Sequence, residues 1–307
     1  SNNMIECSKV WRKENREVHK FLRAIGFSDI TKKDLEMILD EVITRPEIMK
    51  ITKDSEGNEF AELSGSFAAN AGITVRGTYQ EDDSFHMDYY YPYVFGTSIT
   101  TNEQIDVEKH AEKESYAGVC DEVNLGVTLI FYIQNVADYL AETNRHLSKI
   151  HYGAMLAGLS TEGKILCPVV ERKKNDVPAI QKNDRHNQLI AQAREGDEDA
   201  IESLTLEDMD TYALLSQRVM KEDIFSIVKS TFMPFGIESD QYTVLGEIID
   251  CVTMENKLTH EKLYGMKLLC NNIQFDVCIN EKDLLGEPAI GRRFRGNVWM
   301  QGNLCLE

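Results

Sequence analysis

Between Phe60 and Gly96 the chain takes on the two-residue period of strands. Three runs, EFAELSGSF, GITVRGTY and SFHMDYYYPYVFG, are rich in aromatic and β-branched residues, with turn-like breaks at Asn70–Gly72 and Glu81–Asp83. With the strands that follow, the block reads as a mostly antiparallel sheet with helices on one side. A second strand pair is expected over Tyr116–Asp121 and Gly126–Gln134. A helix over Val136–Leu147 follows, and then a hairpin over Met155–Val170 turning at Thr161–Gly163. Two short helices precede the sheet. Val18, Phe21, Leu22 and Ile25 recur at helical spacing and Gly26 stops them. Thr31 and Asp34 then cap a helix carrying Leu35, Ile38, Leu39 and Val42, with Pro46 just past its end.

The polar segment 172–187, RKKNDVPAIQKNDRHN, reads as a boundary. Helical spacing follows, with caps at Asp197 and Thr205 and a last helix running to about Thr231. Strands return from Tyr242 in YTVLGEIIDCVTM, KLYGMKLLC and IQFDVCIN, then a short helical piece near Asp283–Leu285 and a final strand over Gly296–Gly302. The expected fold is α+β. It comprises an N-terminal domain over 18–171, mainly antiparallel sheet with flanking helices, then a linker over 172–187, a helical connector over 188–233, and a small β-barrel-like domain over 234–307.

At 307 residues the chain exceeds what one core normally supports, which favours two domains. Its net charge of −18 repels phosphate backbones and argues against a general nucleic-acid binder. The seven cysteines include no C-x-x-C pair and are odd in number, and several fall within apolar strand patterns. Free thiols in a reducing compartment fit this better than a disulfide framework. No apolar run approaches the roughly 18–20 residues that span a bilayer, and no charged-then-apolar leader opens the sequence. The expectation is a cytoplasmic protein without membrane association.

No catalytic set stands out, and a non-enzymatic role is favoured. Gly158-Leu-Ser-Thr-Glu-Gly163-Lys164 fits the first seven positions of a P-loop, but Ile165 replaces the magnesium-binding hydroxyl and ILCPVVE continues as strand rather than helix. The histidines show no H-E-x-x-H spacing, no Cys/His pairs suggest zinc, and no G-x-S-x-G elbow is present. No cofactor is implied. Glu195–Asp210 carries eight acidic residues and no Lys or Arg. It reads as a solvated helical face or as a docking surface for a basic partner. In His86–Gly96, alternation sets Tyr89, Tyr91 and Tyr93 on one face and His86, Asp88 and Tyr90 on the other, for packing or for stacking a ligand. The remaining candidate is the only concentration of positive charge on a strand framework: Arg292, Arg293 and Arg295 around Phe294, with Trp299 nearby. These are the ingredients of an anion- or nucleotide-binding site; the structural alternative pairs the arginines with carboxylates and puts Trp299 in a core.

Four separated blocks, VHKFLRAIGFS (18–28), IAQAREGDEDAIESLTLEDMDTY (190–212), DIFSIVKSTFMPFGIESDQYTVLGEI (223–248) and FDVCINEKDLLGEPAIGRRFRGNVWMQG (275–302), occur in order. Together they resemble an uncharacterised family of domain-of-unknown-function proteins, about this long, from Gram-positive anaerobic bacteria. The resemblance runs from about residue 18 onward, and the stretch before Val18 departs from its pattern. It implies a cytoplasmic bacterial protein and transfers no catalytic residue. Three functions remain: an interaction or regulatory protein, an anion- or nucleotide-binding module, and an enzyme whose groups converge only in three dimensions.

Overall fold

The computed structural model describes residues 18–110, 114–122, 124–145, 151–168, 202–203, 228–236 and 239–306. The chain divides into two compact units, Ser1–Leu166 together with Ser230–Glu307, and Cys167–Lys229. The linker 172–187, most of the helical connector and nearly all of the acidic face Glu195–Asp210 lie outside the described residues.

The first unit opens on a 3-10 helix, Lys20–Ile25, that ends at Gly26 with φ 94°, a left-handed conformation that suits glycine. Next comes α1, Lys32–Thr44, whose cap Thr31 accepts a hydrogen bond from the Asp34 N–H at 3.2 Å. Strands β1 (Ile48–Lys53), β2 (Glu59–Ala68), β3 (Ala71–Tyr79) and β4 (Phe85–Val94) form an antiparallel sheet in the order β1-β2-β3-β4; β2, β3 and β4 are the three expected runs, and β1 was not anticipated. Asn70 and Asp83 take positive φ in its turns, as short polar turn residues do.

The second sheet contains β5 (Thr101–Lys109), β6 (Tyr116–Glu122), β7 (Val127–Ile133), β8 (His151–Leu166), β9 (Thr231–Pro234), β10 (Gln241–Glu255), β11 (Lys262–Cys270), β12 (Ile273–Asn280), β13 (Leu284–Leu285) and β14 (Arg293–Leu304). α2, Val136–Asn144, follows β7. β8 and β14 run antiparallel over twelve paired positions and form the spine of this sheet. At one end the pairing returns to them through β5, β6 and β7; at the other it returns through β12, β11 and β10. Two closed circuits therefore share one strand pair, which removes most free edges.

This architecture overturns the expected α+β fold. The described elements are mostly strand, with two α-helices and two 3-10 turns. Three particulars account for the difference. First, Thr161–Gly163 is not a turn, because β8 continues through it to Leu166. Gly163 is there for clearance, since a Cβ at this position would lie 2.4 Å from the Phe294 ring. Second, Thr231–Pro234 is strand β9, where the end of a helix was expected. Third, the strands of 241–304 do not close on each other alone; their circuit requires β8 from the N-terminal half.

Two apolar clusters follow. One gathers side chains of both circuits, including Leu129, Phe131, Tyr242, Phe275, Phe294 and Met300. The other joins the N-terminal helices and the β1–β4 sheet to the second sheet through Leu22, Leu35, Leu63, Ile73, Tyr132 and Trp299. Cys120, Cys270 and Cys278 are buried, and burial pushes their thiols up to about 12. They are packing groups rather than nucleophiles. Among the described residues no helix is long and apolar enough to cross a membrane.

Candidate functional site

The capping pattern near the N-terminus builds a groove. α1 buries Leu35, Leu39 and Val42. Asp34, Met37, Ile38 and Glu41 recur at i, i+3, i+4 and i+7 on another of its stripes, where they line the groove. Across from them is the loop between β10 and β11, held by Asn256, which is fully buried. The Asn256 Nδ2 donates to the Ile25 carbonyl at 2.7 Å, while its Oδ1 accepts from the N–H groups of Leu258 (2.9 Å) and Thr259 (3.1 Å). The Thr259 hydroxyl donates to the Gly26 carbonyl at 2.6 Å. The loop is thus fastened to the end of the first helix. A side chain at Gly26 would collide with it, its Cβ falling 2.6 Å from that of Asn256.

The groove has a volume of about 370 Å³. Phe27, Ile30 and Ile38 supply buried or half-buried apolar lining. Met37 and Leu258 also line it but are 55% and 51% exposed. The lining also includes Asp29, Asp34, Glu41 and Glu261, with no Lys or Arg among the lining residues. Glu261 is already engaged. Burial disfavours its charge, but hydrogen bonds from Lys282 (2.7 Å), the Ser28 hydroxyl and Asn280 (2.6 Å) outweigh that and hold its carboxyl below the usual range. Asp29 lies 3.7 Å from the same ammonium. Asp34 and Glu41 stand two helical turns apart on α1, about 10 Å along its axis.

The four residues singled out at the C-terminus do not converge. Trp299 is 7% exposed and packs in the second cluster against His19 (5.1 Å), Phe21 (5.3 Å) and Tyr132 (5.3 Å). Its indole N–H donates to Asp240 at 2.7 Å. Arg293 is buried on β14 and pairs in register with Glu247 of β10. Arg295 is exposed, opposite Lys164 of β8, and stands four residues from Trp299, about 13 Å along a strand. Arg292 precedes the strand, and its guanidinium donates to the Glu287 carbonyl at 2.6 Å. In the tyrosine stripe, Tyr90, Tyr91 and Tyr93 are buried and Tyr89 is half-buried. Among the described residues no group of three or more His, Cys, Asp or Glu side chains converges to hold a metal ion.

The sequence reading missed Arg76. It is fully buried on β3, paired with Glu62 of β2 at 2.7 Å. Its two terminal nitrogens also donate to the phenols of Tyr89, Tyr91 and Tyr132 and to the carbonyls of Ile133 and Gln134. Burial works against its charge, but these phenols and the Glu62 carboxylate outweigh it and keep the guanidinium protonated. Burial raises the Tyr91 and Tyr132 phenols, so they stay neutral acceptors. The second Glu62 oxygen accepts the Ala137 N–H at 3.0 Å and so caps α2 from another element. The only available signal was the alternation of Glu62, Ser64, Thr74 and Arg76 across β2 and β3. In sequence, that pattern describes a solvent-facing side.

No curated protein and no solved structure matches the chain. A family model described as "Domain of unknown function, E. rectale Gene description" (DUF3881) matches residues 22–302. The groove, the buried arginine and all but the last two residues of the paired circuits fall within that span, and the chain belongs to this family of unknown function.

Proposed function

We propose that this is a cytoplasmic, non-catalytic interaction protein that docks a partner chain in the groove between α1 and the β10–β11 loop. One observation carries the reading: two large apolar side chains, Met37 and Leu258, stay more than half exposed beside a buried apolar lining, with carboxylates around them. Exposed apolar surface rimmed by polar groups is the signature of a docking site. A peptide library displayed on phage would be panned on the full chain and counter-selected on a Met37→Glu/Leu258→Glu variant. Sequences that bind the wild type and not the variant are expected; failure of any groove-dependent sequence to emerge would end the reading.

A second reading, anion or nucleotide binding at Arg292, Arg293, Arg295 and Trp299, keeps one supporting observation. Arg295 and Lys164 face each other across β14 and β8 in an otherwise acidic protein. Two exposed cations side by side attract an anion.

A further inference from the structure

We infer that the groove between α1 and the β10–β11 loop takes a basic amphipathic α-helix of a partner protein. The inference rests on the docking role proposed above and specifies its occupant.

An extended peptide binds chiefly by adding its main chain to an exposed sheet edge. This groove presents no such edge. On one side, the interior amides of α1 bond within the helix, and at its first turn the Thr31 hydroxyl accepts from the Asp34 N–H. On the other, the N–H groups of the loop are bonded internally or to its neighbours. The Asn256 N–H donates to the Glu261 carbonyl (3.0 Å), the Lys257 N–H to the Phe67 carbonyl (2.7 Å) and the His260 N–H to the Asn256 carbonyl (2.9 Å). The Leu258 and Thr259 N–H groups are taken by the Asn256 side chain. An occupant thus meets no sheet edge and few backbone donors here, which favours one that satisfies its own backbone, as a helix does.

The groove also selects sequence. Its apolar lining suits a helical stripe repeating at i, i+3 or i+4, and i+7. Asp34 and Glu41, spaced by two turns, call for Lys or Arg two turns apart on the visitor, flanking that stripe. Asp29 adds a third carboxylate. The net charge of −18 steers a cationic segment in and repels an acidic one, including an acidic segment such as Glu195–Asp210 of a second copy.

The test uses the full chain and a fluorescein-labelled, end-capped peptide of about eighteen residues, with Leu on the stripe and Lys on the flanking positions. Its controls are a scrambled peptide of the same composition, a Glu-for-Lys version and an alternating Lys/Val peptide that favours extended structure. The Leu/Lys helix should bind at low salt, bind at least about tenfold more weakly to Met37→Glu or Leu258→Glu, and weaken between low and high salt as rim charges are screened. Both substituted residues are over half exposed, so unchanged melting temperatures should accompany the loss. Equal binding of the scrambled peptide, or preference for the Glu version, overturns the inference. Groove-dependent binding of the extended peptide alone overturns it while leaving the docking role standing. Absence of any groove-dependent peptide overturns both. A dimer in sedimentation that Met37→Glu dissolves would assign the groove to a second copy, which also overturns it.

Discussion

Arg76 and the arginines of 292–295 lie on the same kind of framework, a glycine-containing antiparallel strand, yet they do opposite things. The C-terminal three are conspicuous in sequence, close-set around Phe294 before a tryptophan. The structure sends them in different directions: Arg293 inward, Arg295 outward, Arg292 back onto the Glu287 carbonyl. Arg76 stands alone in GITVRGTY and draws five oxygen partners besides Glu62. Density of charge along the chain is thus a poor guide to where charge matters. What decides is whether another layer of structure covers the polar face of a strand. β7 and the start of α2 cover β2–β3, and the ion pair beneath them ties all four together.

The largest effect should come from breaking that pair on one side. Glu62→Ala leaves a buried guanidinium short of its counter-ion and removes the cap on the Ala137 N–H. It should cost about 3–5 kcal/mol in urea unfolding. Replacing both charges, Arg76→Met with Glu62→Leu, should cost less than Glu62→Ala alone, because no uncompensated charge stays buried. If Glu62→Ala costs under about 1 kcal/mol, in the range of exposed ion pairs, the contrast with the C-terminal arginines collapses.

A smaller, pH-dependent effect is expected where the C-terminal strand meets the first helix. His19 caps that helix through its Nδ1, which accepts from the Phe21 N–H at 3.3 Å and so requires a neutral ring. Burial, and then the nearby Lys20 charge, lower its pKa from 6.5 to about 4. The unfolded chain therefore binds a proton first as pH falls. Stability from His19 is full above about 6.5 and is lost as pH drops toward 4. His19→Asn keeps a capping oxygen and does not titrate. Melting temperatures taken between these pH values should fall less steeply for the variant than for the wild type. Parallel slopes would mean that Trp299 and Phe21 do not desolvate the imidazole as their contacts indicate.

The β2, β3 and β4 strands, the Thr31 cap, the Gly26 stop and the β6–β7 pair were legible because each is set by local chemistry: period two, turn residues, or a capping hydroxyl. What was not legible depends on distant partners. Gly163 reads as a turn until Phe294 is known to lie over it. β10, β11, β12 and β14 read as a separate barrel until β8 is known to complete their circuit. The polar alternation on β2 and β3 reads as a wet face until β7 is laid across it. The groove was half-visible: the exposed stripe of α1 follows from its period, but nothing local says that Asn256 brings Leu258 to face it.

The smallest expected effect tests the other arm of the contrast. Arg295 is exposed, and its cross-strand neighbour Lys164 carries the same sign. Both side chains are exposed, so removing either charge changes little that is buried. Arg295→Ala and Lys164→Ala should each shift stability by no more than about 0.5 kcal/mol in either direction. Inorganic phosphate and a nucleoside triphosphate then separate the two readings of the patch. A bound anion stabilises the folded state by about 2.7 kcal/mol at a hundred times its dissociation constant. If wild type gains a salt-sensitive melting shift that both variants lose, the patch is a binding site and Arg295 ranks with Arg76 in importance. If neither ligand moves the midpoint, the arginine pattern most visible in the sequence is surface, and functional weight shifts to the acidic groove.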